Sequence, residues 1–171
     1  MQRFVSNLIL GLFVLALVVV YGVSKQPAVL SVSPLGRSKT GQPTASGNSD
    51  TRQIKLPNGA QLVVAVADND QELQQGLSGV DQLSTSSGML LVFPQSDRQS
   101  IWMKGMKLSL DLVWLDDEGR VVQVVSDAPA PLDDTGTMPA YLSDQPARYV
   151  LELASGTAEA AGLKVGAKVY L

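Results

Sequence analysis

The sequence contains no cysteine and no histidine. Without cysteine there are no disulfides, thiolate metal sites, iron–sulfur clusters or thiol nucleophiles. Without histidine there is no Ser-His-Asp triad, no imidazole ligand and no side chain that titrates near neutrality of its own accord. Aromatic residues are scarce at 5% of the 171 positions, too few for a platform on which bases could stack. Positive charge never clusters. Up to Thr51 the chain carries a net charge of +3, and from Arg52 onward nine basic residues face fifteen acidic ones. An acidic body without a cationic stripe is a poor match for phosphate backbones, so no nucleic-acid partner is expected. The length allows one ordinary domain with additions.

What is present begins with an uncharged apolar run, LILGLFVLALVVVYGV, at 8–23, preceded by Arg3. This pattern predicts a hydrophobic helix over about 4–23 that meets the membrane as an uncleaved anchor, because no Ala-x-Ala site follows it. The alternative is a signal segment that is cut, leaving a secreted protein. The basic residues on either side do not set the orientation. A short basic tail, an apolar run and a long polar chain nevertheless form the export pattern, which puts the globular part outside the cytoplasm, in a periplasm or at a cell surface. Residues 24–51 are rich in Ser, Gly, Pro, Thr and Gln, a composition that buries too little to offset its ordering entropy, and they read as a flexible linker.

From 52 to 171 short apolar runs alternate with turn residues. Strands are expected over 53–56, 62–67, 88–93, 99–104, 107–115, 120–125, 148–153 and 168–171. Pro57-Asn58-Gly59 marks a hairpin and Pro94 a stop. Asp68-Asn69-Asp70 caps a short helix over 71–75 that Gly76 ends, and an Ala-rich helix follows Ser155-Gly156. With no long helix between strands, the fold class expected is all-β, a mostly antiparallel sandwich or distorted barrel with two short helices. In the strand at 107–115, Leu108, Leu110, Leu112 and Trp114 share one face and Asp111 takes the other. Along 148–153, Tyr149, Leu151 and Leu153 share a face opposite Arg148 and Glu152.

Several blocks in fixed order carry a resemblance: Gln71 to Leu77, Gly88 to Phe93, Trp102-Met103-Lys104, Leu110-Asp111, Gly119 to Val122, Tyr149 to Leu153, and Gly162 to Gly166. Together they resemble the DUF192 family, also called UPF0127, over roughly 52–171. The resemblance implies a mostly antiparallel β-domain, often exported, whose biochemical function is unassigned. The chain departs from the family pattern in places. Ser78-Gly79-Val80 stand where the pattern usually has a Met and then an Arg. Ile101 replaces an aromatic, Gly105-Met106 an Asn-Thr, and Ser109 a proline. A polar pocket built on those positions in relatives would be reduced here.

The binding candidates are Trp102, Lys104, Asp111, Arg148 and Glu152. If the strands bring them together, Lys104 or Arg148 could hold an anion, and Trp102 could stack on a planar ligand. The plainer reading makes the charged four an internal ion pair or a solvated strand face. Paired carboxylates are the one catalytic scheme that this composition easily permits, with Asp111 and Glu152 as the best pair. Asp116-Asp117 and Asp133-Asp134 read as turn acids. Asp68, Asp70 and Glu72 imitate a calcium loop but lack its glycine and distal Glu, so no metal site is expected. Met89, Met103, Met106 and Met138 read as core. No cofactor is implied. The preferred function is a membrane-tethered, extracytoplasmic, non-catalytic module that binds a small ligand or a partner protein. A carboxylate-dependent hydrolase of envelope glycans and a purely structural envelope module are the alternatives.

Overall fold

The computed structural model describes residues 50–132 and 140–171. The expected anchor, nearly all of the linker, Met138 and Asp133-Asp134 lie outside the described residues. Among the described residues, no helix is long and apolar enough to cross a membrane.

Eight strands and two short helices follow in order: β1 (Thr51–Lys55), β2 (Gln61–Ala67), α1 (Asp70–Gln75), β3 (Ser87–Asp97), β4 (Ser100–Trp102), β5 (Leu110–Leu115), β6 (Val121–Ala128), β7 (Ala140–Leu142), β8 (Ala147–Ala154) and α2 (Thr157–Ala160). Six strands form one sheet in the order β1-β2-β3-β8-β5-β6, and β4 with β7 forms a separate ribbon. Antiparallel pairing dominates, as expected, but β2 and β3 run parallel. The fold is mostly β with two short helices, as expected, and its six-strand sheet is mixed, with one parallel pair in an otherwise antiparallel arrangement. The chain between β2 and β3 carries α1, and such a crossover is what a parallel return requires.

The expected last strand at 168–171 appears as two isolated bridges, Tyr170 to Lys55 and Lys168 to Arg120. These join the end of β1 to the residue before β6, so both edges of the sheet meet the same terminal segment. Ribbon strand β7 falls between 125 and 148, where no strand is expected from the sequence. Strand β3 runs past the expected stop at Pro94, and its register with β8 shifts between Val92 and Asp97. The proline sits in that irregular stretch, where no ladder donor is required.

Apolar clusters cover both faces of the sheet. Ile54, Val64, Leu90, Val113 and Leu151 pack with Ala158 and Leu163 around α2. On the other face, Met89, Leu91, Leu112, Trp114 and Val150 pack with Leu77 and Ile101. Double-sided burial is why β2 and β5 read as nearly unbroken apolar runs. Each fully buried Leu or Ile contributes about 1.5–3 kcal/mol. Gly88 keeps β3 and β8 close, since a Cβ there would stand 2.6 Å from the Glu152 carbonyl oxygen.

Candidate functional site

The site is assembled around the end of α1. Asn69 caps this helix by accepting from the Glu72 N–H at 3.1 Å, which is the capping role expected of this acidic cluster. Gly76 ends it at φ +48°, a backbone region that glycine enters without strain. The chain beyond is pinned to the turn after β4: Ser78 Oγ donates to the Lys104 carbonyl at 2.6 Å, and the Gly79 N–H to the Gly105 carbonyl at 2.9 Å.

Beneath this clasp lies Glu152. On β8 it stands between Met89 of β3 and Leu112 of β5 in the strand register. Its side chain is buried, with 1% of the residue exposed, and its Oε2 has no hydrogen-bond partner. Burial strips solvent from the carboxylate and pushes its pKa from 4.5 to about 7. Gly76 forms one wall: a Cβ there would lie 3.6 Å from Glu152 Oε2 and 3.7 Å from Met106 Cε.

Glu152 closes the inner end of a recess walled by Leu91, Phe93, Ile101 and Met106, with about 50 Å³ open to the centre of a water molecule. A wider mouth of about 360 Å³ on the same measure is lined by Gln74, Ser78, Trp102, Lys104 and Gly105. Inner recess and mouth share Gln74, Ser78 and Trp102. Trp102 is 52% exposed there, and the Lys104 ammonium lies 5.6 Å from its ring centroid.

Three of the five candidates thus meet, with Trp102 and Lys104 at the mouth and Glu152 at the floor. The other two lie elsewhere. Asp111 is fully buried, and its neighbours on its own face of β5 are Val113 and Leu115, whereas Glu152 faces the opposite side of the sheet. Its Oδ2 accepts from the Ala158 N–H at 2.8 Å and its Oδ1 from the Asp127 N–H at 3.0 Å. Two carboxyls on opposite faces cannot flank one bond, so the acid–base pair expected for a hydrolase is not assembled. Arg148 donates to the Pro94 carbonyl and bridges the irregular stretch of β3.

The reading of Glu152 as part of a solvated face or an ion pair is also corrected, while Arg148 stays partly exposed. Their face is covered by α1 and the β4–β7 ribbon, and Val150 between them is core. The ion pair found among the described residues is Lys107 with Asp81, and it is exposed.

Sequence reasoning did not single out Gln74, Gly76, Ser78 or Met106 as site residues. The available signal was the set of departures from the family pattern, since Ser78, Ile101, Gly105 and Met106 all line the recess or its mouth. Asp116 holds a turn through the Glu118 and Arg120 N–H groups, as its position suggested. Met89, Met103 and Met106 are buried in the core. No group of three or more Cys, His, Asp or Glu among the described residues could hold a metal ion.

Solved structures resemble this chain. One is a candidate transcription regulator from Sinorhizobium meliloti 1021, 26% identical, with TM-score 0.64 over 71% of this chain and 93% of that one. Another is a protein of unknown function from Novosphingobium aromaticivorans DSM 12444, 22% identical, with TM-score 0.64 over 87% of this chain and all of that one. No curated protein matches the chain. The DUF192 family model, described as "Uncharacterized ACR", matches residues 53–171, which include every strand but the start of β1, both helices and the entire recess. The chain belongs to the DUF192 family.

Proposed function

We propose that this domain is a non-catalytic binding module whose recess, floored by Glu152, takes a small ligand or a segment of a partner protein. One observation carries the reading: a fully buried carboxylate with a free Oε2 lies at the inner end of a recess that opens beside a half-exposed tryptophan. Leaving such an atom without a donor costs stability, and a fold has no mechanical reason to keep it there. A purely structural module would need no concave polar site. The name of the Sinorhizobium relative does not redirect the reading, because from Arg52 onward nine basic residues face fifteen acidic ones, a poor match for a phosphate backbone.

We also propose that the apolar run at 8–23 tethers the domain to a membrane and presents it outside the cytoplasm. The support is the sequence alone: a basic tail, the run, and a polar linker long enough to hold the domain clear of the headgroups.

Two measurements test these readings. Amide NMR of the full chain in detergent, challenged with a panel of small amines, alcohols, acids and sugars, should show shifts centred on Gly76, Ser78 and the Trp102 indole. No shift at these residues across the panel overturns the binding reading. Fractionation with external protease should find the domain in the membrane fraction and digestible from outside. A domain recovered in the cytosol overturns the tether.

A further inference from the structure

We propose that the recess receives a primary ammonium at the tip of a slim aliphatic chain, its nitrogen against Glu152 and its more polar remainder at the mouth. This rests on the binding-module reading and names the chemistry of its ligand.

Charge is the first support. The inner recess is lined by one ionisable side chain, Glu152, and by no cation. Lys104 stays at the mouth over Trp102, Arg148 is engaged with the Pro94 carbonyl, and Lys107 pairs with Asp81. No basic residue stands at 78–80, the part of the clasp nearest Gly76. The chain thus brings a carboxylate to the floor and no cation to meet it. An ammonium supplies both the missing donors and the compensating charge, and charge-assisted hydrogen bonds are about twice as strong as neutral ones.

Shape is the second. The inner space is about 50 Å³. A space of this size takes a slim chain end more readily than a bulky ring. Leu91, Phe93, Ile101 and Met106 offer methylene groups an apolar sleeve. The mouth is several times larger, and there Lys104 and the Gln74 amide suit a carbonyl or carboxylate on the ligand's outer end. A lysine side chain of a protein and a free diamine or amino acid share this chemistry.

A pH signature follows. The ammonium needs the ionised form of Glu152, whose pKa burial raises to about 7, so affinity should fall about tenfold per pH unit below 7 and level off above it. Nearby groups do not confuse this reading. Strands β3 and β5 turn Met89, Leu91, Phe93, Leu110 and Leu112 to this face, without charge. On α1 the acids are Asp70 and Glu72, neither lining the recess, and Lys104 is confined to the mouth.

The test is NMR titration of the full chain in detergent with n-butylammonium, n-butanol and n-butyrate. Butylammonium should shift Glu152 and Gly76, bind at least about tenfold tighter than butanol, and follow the pH profile above. Glu152→Gln should lose that preference. If the variant does not fold, the butylammonium-to-butanol ratio and the pH profile of the unmodified chain decide. Equal or tighter binding of butanol or butyrate at the recess, or a flat pH profile, overturns the ammonium inference and leaves the binding module standing. Silence from all three probes and from the wider panel overturns both. Cadaverine against a peptide acetylated at its N-terminus, with its lysine side chain free, then separates the sources: tighter cadaverine means a free amine, and a tighter peptide means a protein partner.

Discussion

The two faces of the central sheet each bury one carboxylate, on neighbouring strands, and treat it in opposite ways. Asp111 of β5 receives two backbone N–H donors, from Ala158 in the first turn of α2 and from Asp127, a non-glycine residue held at φ +53°. It fastens a helix and a strained corner to the sheet. Glu152 of β8 faces the other way, with Oε2 unpartnered and a recess leading to it. The difference teaches that burial of an acid does not assign it a role. Where the chain supplies the donors, the acid belongs to the scaffold. Where it leaves them out, something from outside can supply them.

The largest test of that contrast is Asp111→Ala. It strands one buried and one part-buried N–H and should cost about 2–4 kcal/mol in urea unfolding, with the recess of the folded protein still responding to ligand. A cost below about 1 kcal/mol would remove Asp111 from the scaffold.

Next comes Glu152→Gln, read against pH. The carboxyl pKa is about 7 in the folded chain against 4.5 ordinarily, so between those values the folded protein keeps a proton that the unfolded chain has released. Stability therefore falls as pH rises from 4.5 to 7 and stays lowered above 7, by about 3 kcal/mol in all. The Gln variant lacks this component. The unfolding free energy of the variant minus that of the original chain should rise by about that amount between pH 4 and pH 8. A difference that does not vary with pH would mean that Glu152 is not desolvated.

Gly88→Ala sharpens the comparison from the backbone, because its Cβ would press on the Glu152 carbonyl and separate β3 from β8. A loss of about 1–3 kcal/mol is expected, with the Glu152 signals displaced in NMR. The smallest effect on stability belongs to Trp102→Ala. This side chain is half exposed, so thermal unfolding should change by less than about 1 kcal/mol while recess binding weakens.

Much of this was legible in the residues. Alternation in Leu108 to Trp114 placed Asp111 opposite the leucines, and the Asx cluster before Gln71 announced a capped helix that ends at Gly76. The two-residue period of β8 put Arg148 and Glu152 on one face, opposite Tyr149, Leu151 and Leu153. What alternation cannot report is what covers a face. The face of Glu152 looked polar because two of its positions are charged, yet α1 and the ribbon β4–β7 close over it. Ribbon strand β7 is three residues long, with too short a pattern to stand out from its loop. The parallel pairing of β2 with β3 was equally hidden, since a short capped helix serves a crossover or a hairpin arm alike.

Read alone, the amino-acid order determined the chemistry on offer and its local arrangement: no thiol or imidazole, strands with defined faces, and two acids within otherwise apolar blocks. Those properties depend on residue type and on contacts a few positions apart. Tertiary structure alone decided which acid would be satisfied. One donor to Asp111 lies 47 residues away in α2 and the other 16 residues away in β6, and the walls around Glu152 come from α1, β3 and β4. Hydrogen bonding and desolvation act over a few ångströms of space, and that proximity exists only once distant segments have packed together.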